Sequence, residues 1–99
     1  MNCISWNCRR LGQSRAVLEL IELVKTKSPT IVFLMETKSK DDYLKRLCSR
    51  LQFDHFFIVP RNNTGGALVL YWKDEINLQV LNSSPIFIDV VVNLGLDDT

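Results

Sequence analysis

The spacing of apolar positions changes several times along the chain. Cys3 to Trp6 reads as a short strand. From Arg15 to Lys27, Val17, Leu20, Ile21 and Val24 recur at i, i+3, i+4 and i+7, the stripe of an amphipathic helix, and Leu18 and Leu23 widen it toward a broad packing surface. Ser14 stands where an N-cap belongs, and Pro29 cannot continue a helix. The run Ile31-Val32-Phe33-Leu34-Met35-Glu36 is continuously apolar up to its last residue, which predicts a strand covered on both faces. A second helix is predicted from Lys40 to Leu51. Leu44, Leu47, Cys48 and Leu51 form its stripe, and Ser39 with Asp42 resembles a capping box with Asp in place of Glu.

Beyond this point the pattern is all β. His55 to Pro60 is a candidate strand, and Asn62-Asn63-Thr64-Gly65-Gly66 is a turn, since Asn and Gly tolerate positive φ. Ala67 to Trp72 is apolar throughout. Lys73-Asp74-Glu75 turns the chain, then Ile76, Leu78 and Val80 alternate with polar residues, and Ile86, Ile88, Val90 and Val92 do so again. The predicted order is β-α-β-α followed by about four strands, an α/β (α+β) sandwich rather than a doubly wound sheet. The strands after Pro60 are expected to form mainly one sheet. Ala67, Val69 and Tyr71 alternate there with Leu68, Leu70 and Trp72, so one apolar face should stay uncovered by the helices and favour self-association.

With 99 residues the chain makes one domain and can bury a real core. Its apolar fraction of 46% and charged fraction of 23% are those of a globular protein. The net charge of +1 makes any basic surface a local one. No apolar run is long enough for a bilayer span, and strand-like residues follow Met1 directly, so the expected location is intracellular, nuclear if the target is DNA, and not secreted. Three cysteines in such a setting argue against a disulfide framework.

Asn7 and Glu36 each end a predicted strand, and a helix joins the two strands. They should therefore be parallel, with both carboxyl ends at one sheet edge, where ligands of α/β sheets bind. A carboxylate after five apolar residues needs a partner, and a hard cation such as magnesium takes a carboxylate and an amide oxygen. The plain alternative is that Glu36 caps a loop and Asn7 makes an Asx turn. Cys3, Cys8, Cys48 and His55 lack the paired spacing of a structural zinc site, and Cys48 falls in a helix stripe. His55, the one histidine, reads as a packed or edge residue. Arg9, Arg10 and Arg15 form the best local cation cluster, suited to phosphate or simply solvated.

The stretches SWNCRRLG (Ser5 to Gly12) and IVFLMET (Ile31 to Thr37) together resemble the start of the endonuclease/exonuclease/phosphatase superfamily, the fold of DNase I and the apurinic endonucleases. More narrowly, the chain resembles the N-terminal part of the endonuclease domain of plant LINE-type (non-LTR) retroelements. The likeness extends from Met1 to about Val92 and includes IVPRNNTGGALVLYWKDE and the closing IDVVV. It implies a DNase I-like sandwich, DNA as partner, magnesium or manganese as cofactor and phosphodiester hydrolysis. Asn7 would help organise the active site, Glu36 would bind the metal, and Arg9 and Arg10 would contact phosphate.

Two departures accompany the resemblance. The family usually has Arg-Gly-Leu-Gly where this chain has Arg9-Arg10-Leu11-Gly12, and glycine allows backbone angles that arginine enters at a cost. The family's Asp-x-Asn and Ser-Asp-His motifs do not occur in these 99 residues, and His55 is not the histidine of the second. The expectation is an incomplete domain over 1–99, inactive alone and holding metal weakly at most. The alternative is a small non-enzymatic α/β module that binds a protein partner through the uncovered sheet face.

Overall fold

The computed structural model describes residues 3–7, 14–37, 40–60, 67–84 and 87–93. Its elements are β1 (Cys3–Asn7), α1 (Ser14–Lys27), β2 (Ile31–Thr37), α2 (Asp41–Arg50), β3 (His55–Val59), β4 (Ala67–Trp72), β5 (Asn77–Ser84) and β6 (Phe87–Asn93). Four strands form one sheet in the order β1-β2-β4-β3, and β5 and β6 form a second. β1 and β2 are parallel, and β4 runs antiparallel to both of its neighbours.

The apolar patterns dictate the layers. Val17, Leu20 and Val24 of α1 and Leu44, Leu47 and Cys48 of α2 are buried against Val32 and Leu34 of β2 and Ala67, Val69 and Tyr71 of β4. These strand residues are two apart, so they share a face. The opposite face carries Ile31, Leu70, Phe33, Phe57 and Trp72, which pack on Ile76, Leu78, Val80, Ile88, Val90 and Val92 of the β5–β6 region. Both helices thus lie on one side of the four-stranded sheet and the hairpin on the other. Each side chain buried in these layers contributes about 1.5–3 kcal/mol. The Tyr71 hydroxyl donates to the Leu44 carbonyl and ties β4 to α2.

Several expectations need correction. The strands after Pro60 do not form mainly one sheet: β4 is inserted between β2 and β3, and only β5 and β6 pair with each other. A strand apolar on both faces is stable only inside a covered sheet, whereas β5 and β6 alternate and tolerate water on one side. The face of β4 away from the helices is covered by the hairpin, with Leu70 only 5% exposed. Leu18 does not widen the α1 stripe, being 58% exposed. The N-cap of α2 is Lys40, extended and without a side-chain cap bond, in place of the Ser39–Asp42 box. Ser39 itself lies outside the described residues. Asp41 and Asp42 still place negative charge in the first turn, where the helix dipole favours it.

Both helices end through a residue with left-handed backbone. Ser28 has φ 47° and Gln52 has φ 66°. The amide of Ser28 donates to Val24 O at 2.8 Å, and that of Phe53 reaches back to Cys48 O at 3.0 Å, so carbonyls at the helix ends are satisfied. Neither residue is glycine, and each carries the steric cost of a Cβ in that region.

Leu34 is fully buried at the centre of the helix-side layer. Leu34→Ala should cost about 2–5 kcal/mol of unfolding free energy in urea denaturation. Leu18→Ala, on an exposed position of α1, should stay within about 0.5 kcal/mol of the parent chain.

Candidate functional site

Asn7 is the last residue of β1, and its register partner across the parallel pair is Met35. Glu36 is the next residue of β2, one short of its end at Thr37. The backbone therefore brings positions 7 and 36 to the same carboxyl-terminal edge, one residue apart on neighbouring strands about 4.8 Å distant. The β2–β4 register shifts between Leu34 and Thr37, because Leu34 pairs with Val69 and Thr37 with Ala67. That leaves one extra residue in β2. Such a bulge interrupts the two-residue alternation of Val32 and Leu34 and increases the local twist at the position of Glu36. Arg9 and Arg10 lie outside the described residues, as do Cys8 and the Gly65-Gly66 turn.

Whether these residues suit a metal turns on donor chemistry. A carboxylate and an amide oxygen are hard donors of the kind magnesium or manganese takes, and the strand register holds their positions next to each other. As residue types they suit a hard divalent cation, which takes oxygen ligands and keeps several waters. Among the described residues no three of His, Cys, Asp and Glu come together as a metal-holding group.

His55 belongs to the other end of the sheet. It opens β3 and pairs with Trp72, which in turn pairs with Ile31, the first residue of β2. Met35, beside Asn7, lies four residues further along β2, about 13 Å away at strand spacing. At this far end the His55 Nε2 and Asp74 Oδ1 atoms are 2.8 Å apart, and the imidazole stacks on Trp72 with ring centres 5.4 Å apart. Asp74 N donates to Asp54 Oδ2 at 2.7 Å, and Lys73 Nζ donates to Gln52 O at 2.8 Å. The sequence gives no sign of this cluster, because residues 54–55 and 72–74 meet only through the β3–β4 register. Its groups are exposed, and such pairs contribute about 0–1 kcal/mol. They clasp the β4–β5 turn to the α2–β3 connection. A His–Asp pair therefore exists in the chain, but at the edge opposite Asn7 and Glu36.

The cysteines of the imagined zinc set are separated in kind. Cys3 is exposed on the edge strand β1, and Cys48 is buried in α2, where its thiol lies 3.6 Å from both Phe53 O and His55 O. Burial, and then the negative charge of Asp54, push the Cys48 thiol from 9.0 up to about 11.

A sheet flanked by two helices and a hairpin, with a parallel strand pair whose carboxyl ends carry an amide and a carboxylate, defines an α/β domain with its candidate chemistry at a strand edge. The family model described as Endonuclease/Exonuclease/phosphatase family matches residues 4–98, nearly the whole chain, and the chain belongs to that family. It is a domain of nuclease or phosphatase type, in a family that is generally metal-dependent. No curated protein and no solved structure matches the chain. No helix among the described residues is long and apolar enough to cross a membrane.

The Cys48 environment has a direct consequence. A thiol raised to about 11 leaves roughly one molecule in a thousand as thiolate at pH 8, so the Cys48 peptide should stay unlabelled by a thiol reagent until urea unfolds the chain, while Cys3 reacts. The folded value lies above the unfolded one. The associated stability is therefore fully present below pH 9 and is lost as pH rises toward about 11, a loss that Cys48→Ala should lessen in alkaline denaturation.

Proposed function

We propose that the chain forms the metal-binding side of a DNA-cleaving endonuclease domain of the LINE retroelement type, in a DNase I-like sandwich, with Asn7 and Glu36 at the reacting edge. The observation that carries this reading is the parallel β1–β2 register, Asn7 opposite Met35 and next to Glu36, in a chain of this family. A magnesium or manganese ion, when bound, would supply charge stabilisation for the phosphodiester. Glu36 would hold such an ion through its carboxylate, with the Asn7 amide oxygen as the second protein ligand, and Asn7 would help organise the site. Arg9 and Arg10 come after Asn7 and Cys8 in the sequence and contact DNA phosphates, which positions the duplex without reading its sequence. A nuclear location follows from a DNA substrate.

Hydrolysis also needs a base that activates water, worth about 10²–10⁴-fold where it can be measured. The 99 residues contain neither Asp-x-Asn nor Ser-Asp-His, and the His55–Asp74 pair sits at the far end of the sheet. In this reading the chain binds metal and DNA weakly and does not turn over alone. The non-enzymatic alternative relied on an uncovered face of β4, which the hairpin covers, and so loses its main support.

Manganese titration followed by NMR tests the metal assignment without depending on activity. Amide signals of residues 7 and 36 should broaden first, with an apparent affinity no better than about millimolar, since two protein ligands hold a reluctantly dehydrated ion weakly. Glu36→Gln should abolish the effect. Broadening centred on His55 and Asp74 would overturn the assignment. In parallel, the purified chain should give no magnesium-dependent nicking of plasmid DNA; nicking that Glu36→Gln removes would show a more complete site.

A further inference from the structure

The end of the sheet where β2 begins carries a second recess. Ser28, Pro29 and Thr30 lead from α1 into β2, Leu51 and Gln52 lead from α2 into β3, and Lys73 and Glu75 lead from β4 into β5. These three connections and the last turns of both helices line a cleft of about 470 Å³, within the size range of small-molecule sites. Every residue lining it is a described one. The connections are locked together. Lys73 N donates to Thr30 O at 3.1 Å, Lys73 Nζ to Gln52 O at 2.8 Å, and Gln52 N to Ser49 O at 2.9 Å. The Lys73 ammonium also lies over the Phe53 ring, 4.9 Å from its centre. A cleft built this way is organised before a ligand arrives.

Charge and backbone both mark the cleft. Lys25 of α1, Arg50 of α2 and Lys73 of the β4–β5 turn stand against a single carboxylate, Glu75, so the lining has a positive excess. Val24, Pro29 and Leu51 are buried and give it an apolar wall. Cations in the last turn of a helix answer its dipole, and Lys25 and Arg50 need no further reason to be there. Lys73 is on no helix, and its bond to Gln52 O holds it at the same cleft. The backbone gives a separate sign. Ser28 and Gln52, the two non-glycine residues with positive φ among the described residues, both line this cleft. Glycine would avoid the steric cost at each position, yet the chain places a hydroxyl and an amide side chain there. Strain of this kind gathers at ligand sites.

We propose that this cleft binds the phosphate monoester of a small organic molecule, at the sheet end opposite Asn7 and Glu36. A monoester is close to dianionic above about pH 6, which suits three cations set against one carboxylate. The phosphates of a nucleic-acid backbone are diesters with one charge each and match the excess less well. Arg50 offers paired donors to two phosphate oxygens. Lys73 has three donors, of which the bond to Gln52 O uses one. The apolar wall takes the organic part. The lining includes no aromatic side chain on which a nucleobase could stack, so that part is a compact apolar group. The site stands independently of the metal reading at the other edge.

NMR titration of the 99-residue chain with phenyl phosphate, without added metal, tests the proposal. The amide signals of Ser28, Thr30, Gln52 and Lys73 should shift together and saturate. Inorganic phosphate should move the same signals with about tenfold weaker affinity, since it leaves the apolar wall unused, and phenol should not move them. Arg50 is exposed, so Arg50→Gln leaves the chain folded, which circular dichroism checks. That variant should weaken phenyl phosphate about tenfold, with Arg50→Lys between it and the parent. Lys45→Gln removes an exposed cation of α2 outside the cleft and should change the affinity by less than about twofold. Five results would each overturn the proposal: no saturable shift, shifts centred on residues 7 and 36, equal shifts with phenol, equal affinity for inorganic phosphate, or equal losses from Arg50→Gln and Lys45→Gln.

Discussion

Burial of strand β4 on both faces constrains the rest of the molecule. Ala67, Val69 and Tyr71 require one apolar layer, and Leu70 and Trp72 require another. No position from Ala67 to Tyr71 tolerates water, so the strand sits inside the sheet, paired by β2 and β3. The helices supply one layer because their stripes are the right width for it. The hairpin supplies the other because β5 and β6 each have one apolar face to give. Tyr71 satisfies its one polar atom by donating to Leu44 O, so the strand enters the core without an unpaired group.

This arrangement separates two ends of the sheet that a linear reading runs together. At one end the parallel strands β1 and β2 close with Asn7 as the last residue of β1 and Glu36 one short of the end of β2. At the other, the start of β3 and the end of β4 bring His55, Trp72 and Asp74 together, with Asp54 beside them. Strands in a sheet are stiff, and about four residues of extended chain hold the two groups apart. The histidine serves the turn that leads β4 into β5. The chain belongs to the endonuclease/exonuclease/phosphatase family, and the strand register sets positions 7 and 36 side by side at that edge.

Much of the architecture was legible because it depends on local period. The α1 and α2 stripes, the two-sided burial of β2 and the alternation of β5 and β6 all follow from which side chains can leave water at a given spacing. The positions of Asn7 and Glu36 at neighbouring strand ends were legible for a related reason, since a helix between two strands makes them parallel. Errors arose where local signals competed. Leu18 has the right chemistry for the core, but its angle on the helix points it to solvent. Ser39 and Asp42 have a capping pattern, yet the N-cap falls one residue later, on Lys40, and the helix starts at Asp41.

By itself, then, the sequence determined the elements, the faces they bury and the strand edge where Asn7 and Glu36 meet. Only the tertiary structure decided that β4 inserts between β2 and β3, that the hairpin closes over its second face, and that His55 pairs with Asp74 away from the candidate site. The physical reason is one of range. A period of apolar residues states that a face must be covered, but which distant segment covers it depends on a competition among all the faces the chain has to bury at once, and no single window of residues contains that competition.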